Sequence, residues 1–316
     1  MSSPSSVGWS SPNAPRLTGA AVKLGVMLSF SEIGADPVVI RDYAQALEGG
    51  GFDFVSAPEH VVGAHPDRLG GQKVHTYDKP YYEPMVMFGF IAGATRSLGV
   101  ATSILILPQR QTALAAKQAA MLDIMCGGRL RLGVGVGRNF VEYTVLNEEF
   151  TTRGARIEEQ VGVLRRLWSE ELVTFEGRWH HLDGVGINPL PVQRPIPIWM
   201  GSFVGGTNDR VLERIGRMAD GWMPQMEPGD EFAALLERIH GFARAAGRNP
   251  AEIEIECTTT ISAGDDPESW RSTAEAFHSH GATHLKVVTR PDGAGPGHLN
   301  RHLDLVMRWR SAISPT

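Results

Sequence analysis

The chain has 316 residues, 42% hydrophobic and 21% charged, the composition of a globular protein with a full core. A net charge of -5 argues against nucleic acid and anionic membrane surfaces as partners. The two cysteines, Cys126 and Cys257, lie far apart with no C-x-x-C, which excludes a disulfide framework and a cysteine zinc site and fits a reducing cytoplasm.

In chain order, Met1 to Gly19 are rich in Ser, Pro and Gly and hold no apolar run suited to a signal peptide. They read as a disordered tail over 1–20, ahead of a single domain over 21–316. No stretch approaches the roughly 18 consecutive apolar residues that cross a bilayer. Short β-branched runs then predict strands at Lys23–Phe30, Asp53–Ala57, Gly99–Leu107, Leu130–Val136, Ile196–Met200, Gly221–Pro224, Ile253–Thr260 and Leu285–Thr289. Helical patterns alternate with them at Pro37–Gly49, Glu83–Thr95, Thr112–Met125, Arg153–Trp168, Thr207–Met218, Asp230–Ala246, Pro267–His278 and Leu299–Ala312. Eight strand–helix repeats, several strands continuously apolar, predict an α/β protein built as a (β/α)8 TIM barrel. A doubly wound sheet is the runner-up, but no glycine phosphate fingerprint follows the first strand. One segment breaks the alternation. Leu172–Phe175 and Arg178–Leu182 flank Glu176-Gly177, a hairpin signal inserted between the fourth helix and the fifth strand.

Residues suited to chemistry cluster where strands end, because a barrel's active site is built at the C-terminal ends of its strands. The second strand ends Ala57-Pro58-Glu59-His60, which places His60 for proton transfer or for hydrogen bonding to a bound ring. The alternative is a loop histidine satisfied by backbone. Glu59 points another way and reads as structural. The third strand, Thr102-Ser103-Ile104-Leu105-Ile106-Leu107-Pro108, has small and hydroxyl residues that permit a bulge; otherwise it is an ordinary buried strand. In the fourth, Gly133, Gly135 and Gly137 leave one face bare, while Val134 and Val136 pack on the other. That face either admits a flat ligand or packs tightly inside the barrel. After the fifth strand, Gly201-Ser202-Phe203-Val204-Gly205-Gly206-Thr207-Asn208 reads either as an anion site or as a capped glycine loop. His180-His181, His278 and His280 show no metal-ligand spacing, and no H-E-x-x-H, G-x-S-x-G or P-loop occurs. No metal site is expected.

In order and spacing these segments resemble the bacterial-luciferase-like family of flavin- and deazaflavin-dependent oxidoreductases. The likeness rests on Ala57–Val61 (APEHV), Thr102–Pro108 (TSILILP), Leu122–Gly137 (LDIMCGGRLRLGVGVG), the helix Arg153–Trp168, and Val173–Gly201 with its P-L-P-V-Q-R-P-I-P-I-W-M-G. The resemblance implies a barrel that binds a flavin-type cofactor, with His60 beside the ring and a non-proline cis peptide at Ser103-Ile104 backing it. It further implies Gly135, Val136 and Gly137 under the cofactor, and the loop Gly201, Ser202, Gly205, Gly206 and Thr207 at its phosphate. Members commonly form homodimers.

The pattern is closer to the branch that uses coenzyme F420 than to the FMN monooxygenases. That branch often has an aromatic residue where this chain has Arg138-Asn139, so those two residues are expected on the substrate side, with the inserted loop as a further wall. The lysine and arginine set that holds a sugar phosphate in glucose-6-phosphate members is not evident. The leading function is hydride transfer between coenzyme F420 and a small organic substrate, with His60 as the catalytic residue. The alternatives are an FMN-dependent monooxygenase and a non-catalytic flavin-binding protein.

Overall fold

The computed structural model describes residues 22–69, 76–203, 208–290 and 299–313, so the expected 1–20 tail lies outside the described residues. Parallel strands run in chain order as Lys23–Met27, Phe54–Ala57, Gly99–Thr102 with Leu105–Ile106, Leu130–Gly135, Ile198–Phe203, Gly221–Gln225, Glu254–Ile261 and His284–Thr289. Counting the two short pieces as one strand gives eight. The last pairs with the first, Lys23 opposite His284, and the sheet closes as a (β/α)8 barrel. The first strand is shorter than expected, because Phe30–Ile33 turns into a short helix.

The outer helices are Pro37–Gly49, Pro84–Ala94, Thr112–Met125, Arg153–Ser169, Asp209–Met218, Asp230–Ala245, Pro267–Ser279 and Leu299–Ile313. Their starts are written in local chemistry. Asp36, Glu83, Asn208 and Asp266 each accept a first-turn amide, and proline occupies the first turn after Asp36, Glu83 and Asp266. Outward strand residues such as Val26, Val55, Leu132, Ile198 and Val287 pack with Leu47, Trp168 and Trp309 in one continuous core. No described helix is long and apolar enough to cross a membrane.

The inserted hairpin forms from Val173–Glu176 and His181–Val185. Its turn is wider than Glu176-Gly177 alone, because the Glu159 carboxylate draws in the amides of Arg178, Trp179 and His180. The proline run after it is docked by Gln193, which donates from its backbone and its side chain to Asp123 at 2.9 and 2.7 Å. Asp123 precedes a turn in which Gly127 and Gly128 have φ of 64° and 80°, a left-handed pair that suits glycine.

The third strand carries the main irregularity. Ala101 sits opposite Arg131, yet Leu105 sits opposite Val134, so the third strand has one residue more than its neighbour across this interval. This is a β-bulge. The Ser103-Ile104 peptide inside it is cis. A Cβ on Gly133 would lie 2.1 Å from the Thr102 carbonyl oxygen, so the bulge fits only against a residue with no side chain.

Two predictions follow from this packing. Gly133→Ala should lower stability by about 1–3 kcal/mol through overpacking. Gly162→Ala, in a helix with nothing within 4 Å of the new methyl, should instead gain about 0.5–1 kcal/mol. Urea unfolding of both variants checks the opposite signs, and a neutral Gly133→Ala would contradict the packing.

A separate expectation concerns Glu48, whose Oε1 accepts the amides of Arg96, Ser97 and Leu98 just before the third strand. Burial would raise its pKa, but these amides outweigh it and hold the carboxyl at about 2 against an ordinary 4.5. A depressed folded-state pKa means its stabilisation is complete above about 4.5 and fades as pH falls toward about 2. Glu48→Gln should therefore be less stable than wild type at neutral pH, with the gap closing by about pH 2. A gap that persists unchanged in acid would contradict this.

Candidate active site

A cavity of about 790 Å³ opens at the C-terminal ends of the strands. It is large enough for a bulky organic ligand. His60, Ser103, Ile104, Gly135, Val136, Gly137, Arg138, Gly201 and Ser202 all line it, so the structure gathers these sequence-predicted residues in one place. Gly205, Gly206 and Thr207 lie outside the described residues.

Two expectations are corrected. Asn139 does not line the cavity: it is buried and caps the short helix Phe140–Val145, its Oδ1 accepting the Val141 amide at 3.1 Å. The inserted hairpin contributes no lining residue either, because Glu159 and Thr112 hold its His180 against the outer helices.

The segment after the second strand explains itself residue by residue. Ala57 accepts the Ser103 amide at 2.8 Å, which ties the bulge to the second strand. Glu59 is buried and accepts the Ile106 amide at 2.6 Å. Its other oxygen pairs with the Arg110 guanidinium, so both ends of the bulge are clamped. Glu59 thus serves structure, although, contrary to the expected divergence, it lines the same cavity as His60.

His60 Nδ1 lies 2.8 Å from Glu142 Oε2, and the other Glu142 oxygen accepts the Val61 amide at 2.8 Å. Glu142 is fully buried on the helix Phe140–Val145. An ionised carboxylate only accepts, so Nδ1 carries the proton and Nε2 is the basic nitrogen. Tyr81 packs edge-on against the imidazole at 4.6 Å and also lines the cavity. Backbone restraint completes the arrangement, since Tyr143 donates to the Val136 carbonyl at 2.6 Å.

The glycines of the fourth and fifth strands serve the bulge. A Cβ at Gly135 would meet Ile104 Cδ1 at 2.8 Å, one at Gly137 would meet Ile106 Cγ2 at 2.8 Å, and one at Gly201 would meet Ile104 Cγ2 at 3.1 Å. The bare face is therefore filled from within by the third strand. Ile104, Gly135 and Gly201 thus pack together where they line the cavity. Such a floor fits a flat ring system.

Beside Ser103, at the cavity lining, is a group that position at strand ends did not suggest. Lys286 Nζ donates to Ser103 Oγ at 2.6 Å and to Glu256 Oε1 at 2.7 Å. Arg131 donates to Glu256 Oε2 at 2.7 Å and covers the rings of Phe54 and Trp199 at 4.1 and 4.6 Å. Burial alone would raise the Glu256 pKa, but Lys286 and Arg131 outweigh it and hold the carboxyl below its usual range. The available signal was charge at inward strand positions, where barrels ordinarily place apolar side chains. No cluster of three or more potential metal ligands occurs among the described residues.

Fold and cavity together define a (β/α)8 barrel with its ligand site at the C-terminal mouth, the arrangement of barrel enzymes. The model of the luciferase-like monooxygenase family matches residues 18–312, and the chain belongs to that family. An F420-dependent hydroxymycolic acid dehydrogenase of Mycobacterium tuberculosis is 28% identical over 80% of this chain and 68% of its own. An F420-dependent glucose-6-phosphate dehydrogenase of Kineococcus radiotolerans is 29% identical over 79% of this chain and 70% of its own. Among solved structures, an F420-dependent secondary alcohol dehydrogenase in complex with an F420-acetone adduct superposes with a TM-score of 0.74. It is 18% identical and covers 94% of this chain and 100% of its own.

Proposed function

We propose that this protein is an F420-dependent oxidoreductase that transfers a hydride between the deazaflavin and a small organic substrate. The observation that carries the reading is the cavity itself, with a smooth bulge floor and a carboxylate-oriented histidine in its wall. The F420-dependent relatives support the choice of cofactor. The family's description as luciferase-like monooxygenases keeps a monooxygenase as the second reading, with FMN as the cofactor it would take.

Bound in the cavity, the deazaflavin would supply a ring carbon that gives or takes a hydride. Ile104, Gly135 and Gly201 would support one face of the ring. A hydride transfer to or from a carbonyl or alcohol also moves a proton at oxygen, and His60 Nε2 is the basic site positioned to hold it. Glu142 fixes the imidazole's orientation and stabilises it when protonated, the role a buried carboxylate plays behind a catalytic histidine. Arg138 forms part of the substrate-side rim, and the cytoplasm is the proposed compartment, in keeping with the free thiols of Cys126 and Cys257.

We also propose a homodimer, joined through an apolar face that the monomer leaves open. Val86 and Phe90 on helix Pro84–Ala94, with Leu114, Met121 and Met125 on helix Thr112–Met125, are all exposed. Met125 lies against Gly89, so the two helices present one surface. Exposed apolar patches of this kind mark association sites.

Fluorescence titration should show F420 binding more tightly than FMN; tighter FMN binding, or FMN retained at full occupancy through purification, would favour the monooxygenase. His60→Ala should lower turnover about 10²-fold or more while leaving the fold intact, as circular dichroism would check. Near-normal turnover with a confirmed substrate would restrict His60 to binding. Light scattering should give twice the chain mass for the wild type and the chain mass for Phe90→Glu, whereas a monomeric wild type would remove the dimer proposal.

A further inference from the structure

Two side chains in the cavity wall hold hydrogens that the protein itself does not use. The Lys286 ammonium carries three hydrogens and no lone pair, so it can only donate. Two of the three are spent, one on Glu256 Oε1 at 2.7 Å and one on Ser103 Oγ at 2.6 Å. Because Lys286 is the donor in the second bond, the Ser103 oxygen accepts there and keeps its own hydrogen to give. Neither that hydrogen nor the third on Nζ meets an acceptor among the described residues.

Both groups are withdrawn from solvent, with Ser103 9% and Lys286 2% exposed, and both line the cavity. Buried donors without an acceptor cost free energy, and native proteins leave few of them. The two spare donors are also fixed in place. Glu256, itself gripped by Arg131 at 2.7 Å, holds Nζ, and the Ser103 amide is tied to the Ala57 carbonyl at 2.8 Å. Their parent atoms stand 2.6 Å apart, close enough to engage a carbonyl oxygen together with its second lone pair or an acceptor next to it. The count of hydrogens and lone pairs holds whatever the net charge around the cavity.

We propose that Ser103 and Lys286 form a two-donor notch that receives a carbonyl edge of the bound ring. This inference rests on the F420 reading, in which that edge is the pyrimidine end of the deazaflavin, the part of the ring with two carbonyl oxygens. Ser103 and Lys286 touch the ring edge, and Glu256 is the positioning residue behind them. The notch sets how the ring is turned in the cavity, with its carbonyl end toward Lys286. A ring with no acceptor at this point leaves both donors buried and unpaired, so the notch also selects against it.

The test is a fluorescence titration with oxidised F420, paired with difference infrared spectra of the bound cofactor. It compares wild type, Ser103→Ala, Lys286→Met, and Lys286→Met combined with Glu256→Gln. Ser103→Ala should weaken F420 about fivefold and Lys286→Met about tenfold or more, the scale of a neutral and of a charged hydrogen bond. Each should move a ring carbonyl band to higher frequency than in wild type, because a carbonyl that loses a donor stiffens. Loss of a merely structural ion pair would not move that band. The doubly substituted variant leaves no unpaired carboxylate behind, should match Lys286→Met in both readouts, and decides the case if Lys286→Met does not fold. A carbonyl band unmoved in the folded variants would overturn the notch and leave the F420 reading standing. No binding of F420 by wild type would overturn that reading and the notch with it.

Discussion

One extra residue in the third barrel strand is the constraint on which the site depends. A closed parallel barrel keeps its strands in register, so an added residue has to project its backbone out of line. Here it projects inward, and three features make room for it and hold it. Gly133 has no side chain for the Thr102 carbonyl to meet, and Thr102 Oγ1 donates to the Gly133 carbonyl at 2.7 Å. The second strand grips the bulge from the other side, with the Ala57 carbonyl on Ser103 and the Glu59 carboxylate on Ile106. His60 then follows directly after the residue that fixes the floor. The chemistry of the wall and the shape of the floor are thus set by neighbouring residues of one short segment.

The barrel interior is graded along its axis. Phe54, Trp199 and His284 pack edge to face in one layer, with Arg131 lying over the first two rings. Glu256 and Lys286 pair inside the barrel, and Lys286 lines the cavity beside Ser103. The aromatic cluster supplies close-packed apolar area, and the buried ion pair fixes charge beside the cavity at some cost in stability. Preorganised charge of this kind needs no rearrangement when a ligand arrives, which is the basis of electrostatic stabilisation in enzymes.

Much of this was legible in the sequence. Helices such as Pro37–Gly49 and Thr112–Met125 begin and end where their helical patterns predicted. His60 could be singled out because position at a strand end is a strong constraint in a barrel. Other parts were hidden for identifiable reasons. Glu142 sits on a six-residue helix, too short to show a period, and its partner is 82 residues away. Lys286 and Glu256 lie 30 residues apart on neighbouring strands and meet only when those strands pair, so nothing local marks the contact. The alternating glycines showed that one face of the fourth strand was bare, but not that the third strand would fill it. Asn139 was expected at the substrate because the F420 branch often has an aromatic residue there, whereas its backbone position makes it a helix cap.

The central claim is that the Ser103–Ile104 bulge is the floor of a deazaflavin site with His60 at its wall. The most direct test is a crystal structure of the protein soaked with oxidised F420. The account predicts the tricyclic ring lying flat against Ser103 and Ile104, with His60 within hydrogen-bond distance of the ring or of a ligand stacked on it. A ring bound away from that floor, or seated with the floor covered by protein side chains, would contradict it.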